Sequence, residues 1–217
     1  MQDVRDPRYE VELRAEVDRL RADGPPRDDL LGLVATRLAH SKQTVESLDR
    51  PLHVTVTFAM YKEHTRLLKP EDHEHGEDFL ARKVDQLNWL FEGTPVSWDM
   101  LVVDDGCPEA SGRIAQRILD ERFPEAPVRV LFLEQAIRDG LPITGELTST
   151  NESQQGGSIV YGMWEAIQQQ RENHVVVFTD ADLSTHLGQT GLLLGPILDG
   201  ASAAIGSRRE EDSVVIK

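Results

Sequence analysis

The sequence predicts an α/β protein with a mostly parallel central sheet and a helical extension at its N-terminus. After residue 51, short strand-like runs alternate with stretches of helical spacing, which is typical of an α/β layer fold. Before residue 51 only helical patterns occur. The 217 residues suffice for one large domain with an appendage. We therefore expect a helical extension over residues 1–50 and a main domain over residues 51–217.

Composition and charge exclude several classes of function. The 23 Lys and Arg residues against 38 Asp and Glu residues give a formal net charge of −15, which disfavours binding to nucleic acid. An anionic ligand would need backbone N–H groups or a bound cation. The single cysteine, Cys107, excludes an internal disulfide and a cysteine-based zinc cluster. The absence of a long apolar window and of a signal-like N-terminus predicts a cytoplasmic protein without a membrane span.

Two helices are predicted for the extension. Apolar residues recur at loose helical spacing over residues 9–20 and again over residues 30–38. Gly24-Pro25-Pro26 separates the two stretches. We expect a helical hairpin that packs on the main domain or on a partner subunit, so these helices are a candidate surface for a homo-oligomer.

Five strands and four helices are predicted for the main domain. The strands cover residues 53–60, which alternate apolar and polar side chains, and the apolar runs 100–103, 128–133, 175–178 and 203–206. The helices cover residues 80–91, residues 111–123 with Ser111 as the capping residue, residues 156–167, and a weaker stretch at 192–198 that Gly200 ends. Ligands of such sheets bind beyond the carboxyl ends of the strands, so the residues that follow the strands are the candidates for chemistry.

Acidic residues follow two of these strands. Asp104 and Asp105 end one, and Asp180 and Asp182 end another. Paired carboxylates at a turn can converge on Mg²⁺ or Mn²⁺, with substrate phosphates completing the coordination. Such a cation would also let a strongly acidic protein accept a diphosphate. The alternative interpretation is that these acids are solvated turn residues or helix caps.

Two further motifs suggest an anionic ligand. Gln155-Gly156-Gly157 begins a helix, where backbone N–H groups attract anions and glycine permits close approach. Arg208 follows the last predicted strand and could bind a phosphate. The alternatives are a tight loop-to-helix turn for the glycines and surface ion pairs for Arg208.

The histidines are weaker candidates. His64, His73 and His75 lie among acids in the stretch 61–78, but their spacing fits a solvated loop better than a transition-metal site. His186 follows Asp182 by four residues and is a candidate ligand of the metal or the phosphates.

Several of these motifs together resemble family-two glycosyltransferases. VVDDGCPE is similar to the Asp-Asp-Gly-Ser signature of that family, NESQQGGSIVYGMWEA to its glycine-rich helix opening, and VVVFTDADLSTH to its Asp-Ala-Asp metal motif. AAIGSRRE and FAMYKE stand where the family has Gly-Ser-Arg and Pro-Ala-Tyr-Asn-Glu-Glu. The likeness spans residues 54–209 and is closest to the branch that makes dolichyl- or polyprenyl-phosphate sugars.

The resemblance implies the GT-A fold, a Rossmann-like sheet that binds a nucleoside-diphosphate sugar. It implies metal-dependent hexosyl transfer to a hydroxyl or phosphate acceptor, with the inversion at the anomeric carbon that is general in the family. Asp180 and Asp182 would hold Mn²⁺ or Mg²⁺. The residues implied to bind the nucleotide sugar are Ala59, Met60, Asp104, Asp105, Gln155, Gly156, Gly157, Asp180 and Arg208.

The sequence also departs from the family pattern. Phe58, Tyr61, Cys107 and Gln155 replace the usual Pro, Asn, Ser and Lys, and the stretch 61–78 is longer than the family's first loop. The family's catalytic base and acceptor half follow the last motif matched here, and no base is identifiable. The alternatives to a transferase are a non-catalytic nucleotide-sugar-binding or assembly module and a nucleotidyltransferase. The latter would favour a glycine-rich basic loop where residues 58–61 stand.

Overall fold

The structure is a computed structural model that describes residues 6–209 and residue 213, and it shows an α/β fold. Four parallel strands form one sheet in the order β3-β2-β1-β4. The strands are β1 (Leu52–Met60), β2 (Val96–Asp104), β3 (Val128–Phe132) and β4 (His174–Phe178). The helices are α1 (Pro7–Arg21), α2 (Leu30–Glu46), α3 (Phe79–Phe91), α4 (Ser111–Arg122), α5 (Leu133–Arg138), α6 (Gly156–Gln168) and α7 (Thr190–Leu198).

The first four predicted strands are confirmed. All nine residues of β1 are buried, because β1 lies between β2 and β4. Its polar residues are therefore buried as well as the apolar ones that alternate with them. β4 was expected to be fully buried, but it forms an edge of the sheet and its residues are only half-buried or exposed.

The predicted fifth strand is wrong. Residues 203–206 have no regular secondary structure, and Ile205 is 90% exposed. This run contains a single large apolar side chain, which cannot bury enough surface to hold a strand on a sheet edge. The predicted cap of α4 is also wrong. Ala110, in the left-handed conformation, precedes the helix, and Ser111 is its first residue.

The helices predicted for the extension are confirmed and both are capped. Asp6 accepts a hydrogen bond from the Arg8 N–H before α1, and Asp29 accepts one from the Gly32 N–H before α2. The two helices pack against each other through a cluster of apolar residues that includes Tyr9, Leu13, Val17, Leu31, Ala35 and Leu38. The predicted helix at 192–198 is present as α7, and it ends just before Gly200.

The chain divides into two compact units. One comprises residues 1–49, 86–95 and 186–217 and is called the helical unit here. The other comprises residues 50–85 and 96–185, contains the whole sheet and is called the sheet unit. Among the described helices, none combines the length and the apolar character that a membrane crossing requires.

The sheet has a topological switch point beside β1. The chain builds β1, β2 and β3 outward in one direction and then returns to place β4 on the other side of β1. In open parallel sheets a crevice forms at the carboxyl ends of the strands where the order reverses. The fold therefore predicts a ligand site between the ends of β1 and β4.

Candidate functional site

A cleft of about 560 Å³ lies at the carboxyl ends of the strands in the sheet unit. It is lined by the end of β1, by the residue after β2, by the segment after β4 and by the residues that precede α6. Of the residues predicted to bind the nucleotide sugar or the metal, the lining includes Ala59, Met60, Asp105, Gln155, Asp180 and Asp182. It also includes Tyr61, Glu63, Arg66, Thr150, Asn151, Gln154 and Ala181.

The two acids that end β2 have different environments. Asp104 accepts hydrogen bonds from the backbone N–H groups of Gly106 and Cys107 at 3.0 Å and of Gly112 at 2.6 Å. Its carboxylate thus holds the turn before α4 and the first turn of that helix, and Asp104 does not line the cleft. Asp105 lines the cleft, but it is buried.

Asp105 attaches the start of α6 to the end of β2. Its Oδ1 accepts a 2.6 Å hydrogen bond from the Ser158 hydroxyl, and its Oδ2 accepts one from the Gln155 N–H at 3.1 Å. The Gly157 N–H donates to the Ser153 carbonyl. The sequence analysis suggested that N–H groups at the start of this helix bind an anion. Two of them, from Gln155 and Gly157, instead donate to groups of the protein itself. Gln155 remains at the cleft with a positive φ of 69°.

Asp180 and Asp182 both line the cleft, in the segment that follows β4. The Asp180 side chain is exposed, and Asp182 is partly buried. The Ser184 N–H donates to Asp182 Oδ1 at 3.0 Å, and Arg66 lies 3.4 Å from Asp182 Oδ2. Burial alone would raise the pKa of Asp182, but the hydrogen bonds from Ser184 and the Arg66 guanidinium outweigh it and hold that pKa below its usual value. Asp182 is therefore ionised near neutral pH.

Lys83 contacts the backbone of this segment, a role that was not predicted from the sequence. Its side chain is fully buried, and Nζ donates a 3.0 Å hydrogen bond to the Asp180 carbonyl. Burial lowers the pKa of Lys83 to about 8, against the opposing effect of Asp182 and Asp180. A lysine on the apolar face of α3, four residues after Phe79, is the signal that could have identified it.

Arg66 is the second residue that the sequence analysis missed. Its guanidinium contacts Glu63 at 2.9 Å and Glu77 at 3.0 Å, in addition to Asp182. Burial, with further contributions from Asp182 and Glu77, raises the pKa of Glu63 although Arg66 opposes this. Nothing in the spacing of the stretch 61–78 distinguishes Arg66 from Lys62 or Lys69.

The carboxylates of the cleft fit a divalent ion that is coordinated partly by the protein and partly by a bound phosphate ligand. Within the described residues, no three His, Cys, Asp or Glu side chains are grouped to hold a metal ion. Asp180 and Asp182 offer two carboxylates, which is the share that a protein commonly contributes to Mg²⁺ when phosphates and water complete the coordination. The lining contains four carboxylates and one guanidinium, so a cation would reduce its excess negative charge.

The remaining candidates lie elsewhere. His64, His73 and His75 form no metal-binding group in the described structure. His186 belongs to the helical unit, where its Nε2 lies 3.2 Å from both Glu10 carboxylate oxygens and its Nδ1 accepts the Gly188 N–H. Arg208 is exposed and also belongs to the helical unit.

The comparisons with protein families and with curated proteins identify no relative of this chain. The chain matches no protein-family model. It also has no significant match among curated proteins. The resemblance to family-two glycosyltransferases therefore depends on the sequence motifs alone.

Proposed function

We propose that this protein is a metal-dependent glycosyltransferase that takes a sugar from a nucleoside-diphosphate donor. The observation that carries the proposal is the cleft at the switch point of the sheet. There the ends of β1 and β2, the start of α6 and the Asp180–Asp182 segment meet around one cavity. The finer assignment to the GT-A fold, and to inverting transfer of a hexosyl group, belongs to the same proposal.

The position of each group suggests its role. Ala59 and Met60 would border the nucleoside, and Asp180 and Asp182 would hold Mn²⁺ or Mg²⁺ against the diphosphate. The bound ion would stabilise the negative charge that develops on the departing diphosphate. Lys83 donates to the Asp180 carbonyl and so helps to orient the backbone that carries the two carboxylates.

The charge of the cleft lining makes a bound cation necessary for a diphosphate ligand, as the acidic composition of the chain also predicts. Glu63, Asp105, Asp180 and Asp182 outnumber Arg66, so the lining by itself repels a diphosphate. Donor binding should therefore depend steeply on a divalent ion. A nucleotidyltransferase is less consistent with the residues after β1, because Tyr61 and Glu63 stand where a glycine-rich basic loop would be expected.

Titration calorimetry with a panel of nucleoside-diphosphate sugars tests the proposal. Wild type should bind one member of the panel in the presence of Mn²⁺, and chelation by EDTA should abolish or strongly weaken that binding. Asp182→Asn should lose at least tenfold in affinity, whereas Asp199→Asn, which changes an exposed acid of the helical unit, should bind as wild type does.

The outcomes separate the alternatives. Metal-dependent binding followed by slow release of free sugar supports a transferase that uses water in place of its acceptor. Metal-dependent binding with an intact donor after prolonged incubation favours a non-catalytic nucleotide-sugar-binding module. Unchanged binding by Asp182→Asn, or no binding of any donor with Mn²⁺, contradicts the proposal.

A further inference from the structure

A second polar cluster lies in the sheet unit at the opposite ends of the strands. His53 of β1 is in register with Ser97 of β2 on one side and with His174 of β4 on the other. Met60 at the cleft lies seven positions after His53 along β1, which corresponds to about 23 Å along an extended strand. The cluster is therefore separate from the proposed donor site.

Three side chains of this cluster form a chain of contacts. Ser97 Oγ lies 2.8 Å from His53 Nδ1, and His53 Nε2 lies 3.2 Å from Asp99 Oδ1. The Nε2 and Oδ1 atoms are buried and are not aligned well enough for a hydrogen bond. Contacts between a base and its orienting carboxylate are often loose before a substrate binds. The sequence of a hydroxyl, an imidazole and a carboxylate is the arrangement that activates a serine nucleophile.

The contact with Arg171 identifies which ring nitrogen of His53 carries no proton and accepts hydrogen bonds. Its Nη1 lies 3.4 Å from His53 Nδ1, and a guanidinium can only donate hydrogen bonds. His53 Nδ1 must therefore be the acceptor for both Arg171 and the Ser97 hydroxyl. The proton of the neutral ring then resides on Nε2, facing Asp99, and this is the tautomer in which His53 can act as a general base toward Ser97.

Asp99 is held as an anion in this position. Burial would raise its pKa, but the interactions of the carboxylate with Thr55, Gln169 and the nearby His53 outweigh burial and lower it. The Gln169 amide lies 3.0 Å from Asp99 Oδ2. A buried carboxylate that is held in this way can fix the orientation of His53 and stabilise its protonated form.

The nucleophile of the cluster is accessible to a ligand, whereas its base is protected. Ser97 and Arg171 are exposed, while His53 and Asp99 are 5% and 8% exposed. The Arg171 guanidinium lies 3.4 Å from His53 Nδ1 and 3.7 Å from Asp99 Oδ2, so it places positive charge beside the group that contacts Ser97.

We propose that Ser97, His53 and Asp99 form a nucleophile–base relay that hydrolyses small carboxylic esters. Ser97 Oγ forms a bond to the ester carbonyl carbon as its proton passes to His53 Nδ1, and Arg171 faces the resulting oxyanion. Collapse of this intermediate breaks the bond to the alcohol oxygen, which leaves with the proton from His53. Water then attacks the acyl carbonyl carbon as His53 takes one of its protons. The bond between that carbon and Ser97 Oγ breaks as His53 returns the proton to Oγ, which releases the carboxylic acid and restores Ser97.

Covalent labelling with a fluorophosphonate tests the relay. This probe forms an Oγ–P bond and releases fluoride only at an activated serine. The full chain should be labelled at Ser97, as located by peptide mass spectrometry. Ser97→Ala should lose the label, and His53→Gln should slow labelling about 100-fold or more. Ser202→Ala, which alters an exposed serine of the helical unit, should be labelled as wild type is.

Asp99 acts as a positioning residue, and its test needs a different readout. Asp99→Asn should lower the maximal labelling rate while the probe concentration that gives half of that rate stays unchanged. Hydrolysis of p-nitrophenyl acetate should show a burst of one equivalent that disappears in Ser97→Ala. Because Ser97 is exposed, this variant should fold even if His53→Gln does not. Absence of label on Ser97, or equal labelling in a folded His53→Gln, would overturn the proposal.

Discussion

Lys83 shows how one buried charge can fix a candidate ligand-binding segment. Its ammonium group lies 5.3 Å from the centre of the Phe58 ring and donates to the Asp180 carbonyl. A methionine in its place would keep the volume but leave that carbonyl without its donor. The lysine is therefore placed to orient the segment, at a cost to stability when it is charged.

That cost should vary with pH. The pKa of Lys83 is lowered from 10.5 to about 8 in the folded chain, so the unfolded chain binds the proton more tightly. Below pH 8 the buried ammonium group costs the folded state about 3 kcal/mol. Between pH 8 and 10.5 Lys83 loses its proton in the folded state first, so the free energy of unfolding rises with pH. Urea unfolding at pH 7.5 and 10 should show this rise in wild type and in Lys62→Met, an exposed control. Lys83→Met should lack it, and an equal rise in all three proteins would contradict the assignment.

The neighbouring acids Asp104 and Asp105 could not be distinguished in the sequence. Both follow the same apolar run, yet Asp104 accepts three backbone N–H groups and Asp105 faces the cleft. We expect Asp104→Ala to destabilise the fold by about 3 kcal/mol, because it leaves N–H groups of the α4 turn without an acceptor. Chemical unfolding monitored by circular dichroism measures this, and a loss below 1 kcal/mol would show that water replaces the carboxylate.

At the scale of elements, α6 packs closely on the sheet because Gly162 has no side chain. A Cβ at this position would overlap the Thr57 Oγ1 atom of β1 and approach Val103 of β2. Thermal unfolding should show Gly162→Ala to be destabilised by about 2 kcal/mol. The matched control is Gly195→Ala in α7, where a Cβ meets open space and alanine should be neutral or slightly stabilising. Similar effects at both positions would exclude close packing as the reason for Gly162.

In the helical unit, Glu10 and His186 form an ion pair between distant parts of the chain. Burial would raise the pKa of Glu10, but His186 and Arg14 lower it from 4.5 to about 2. A carboxylate with a lowered pKa contributes stability above pH 4.5, and that stability is lost as the pH falls toward 2. The unfolding free energy of wild type should therefore fall more steeply over this range than that of Glu10→Gln. Parallel pH profiles would contradict this assignment.

The elements were predicted from the sequence where hydrophobic periodicity is strong. Residues 53–60 and 156–167 alternate or repeat clearly, and both match observed elements. The prediction of a strand at residues 203–206 was wrong because a short apolar run does not reveal whether a neighbouring strand is available. The motif residues at strand ends were predicted because topology brings those ends together. Arg66 and Lys83 were missed because their roles depend on how the stretch 61–78 and α3 fold back toward the Asp180–Asp182 segment.

At the scale of the whole molecule, the charge of −15 limits how an anionic ligand can bind. Long-range repulsion acts on any nucleotide, so the affinity of the cleft for a nucleotide should depend on the divalent ion. Added salt screens this repulsion more than it screens the direct contacts of the ion, so it should weaken binding little. The exposed apolar residues Val11, Leu30 and Leu33 on α1 and α2 leave self-association through these helices as a prediction. Sedimentation of wild type at several concentrations would measure it.

Paramagnetic broadening by Mn²⁺ in amide NMR spectra tests the central claim most directly, because it locates the ion and shows whether its binding there requires a nucleoside diphosphate. With UDP, GDP and dTDP each added in turn, one nucleotide should cause Mn²⁺ to broaden the amide signals of residues 59–61, 154–155 and 180–182. Asp182→Asn should abolish the effect. Broadening confined to other acidic surfaces, or unchanged by every nucleotide, would contradict the assignment of this cleft as the diphosphate site.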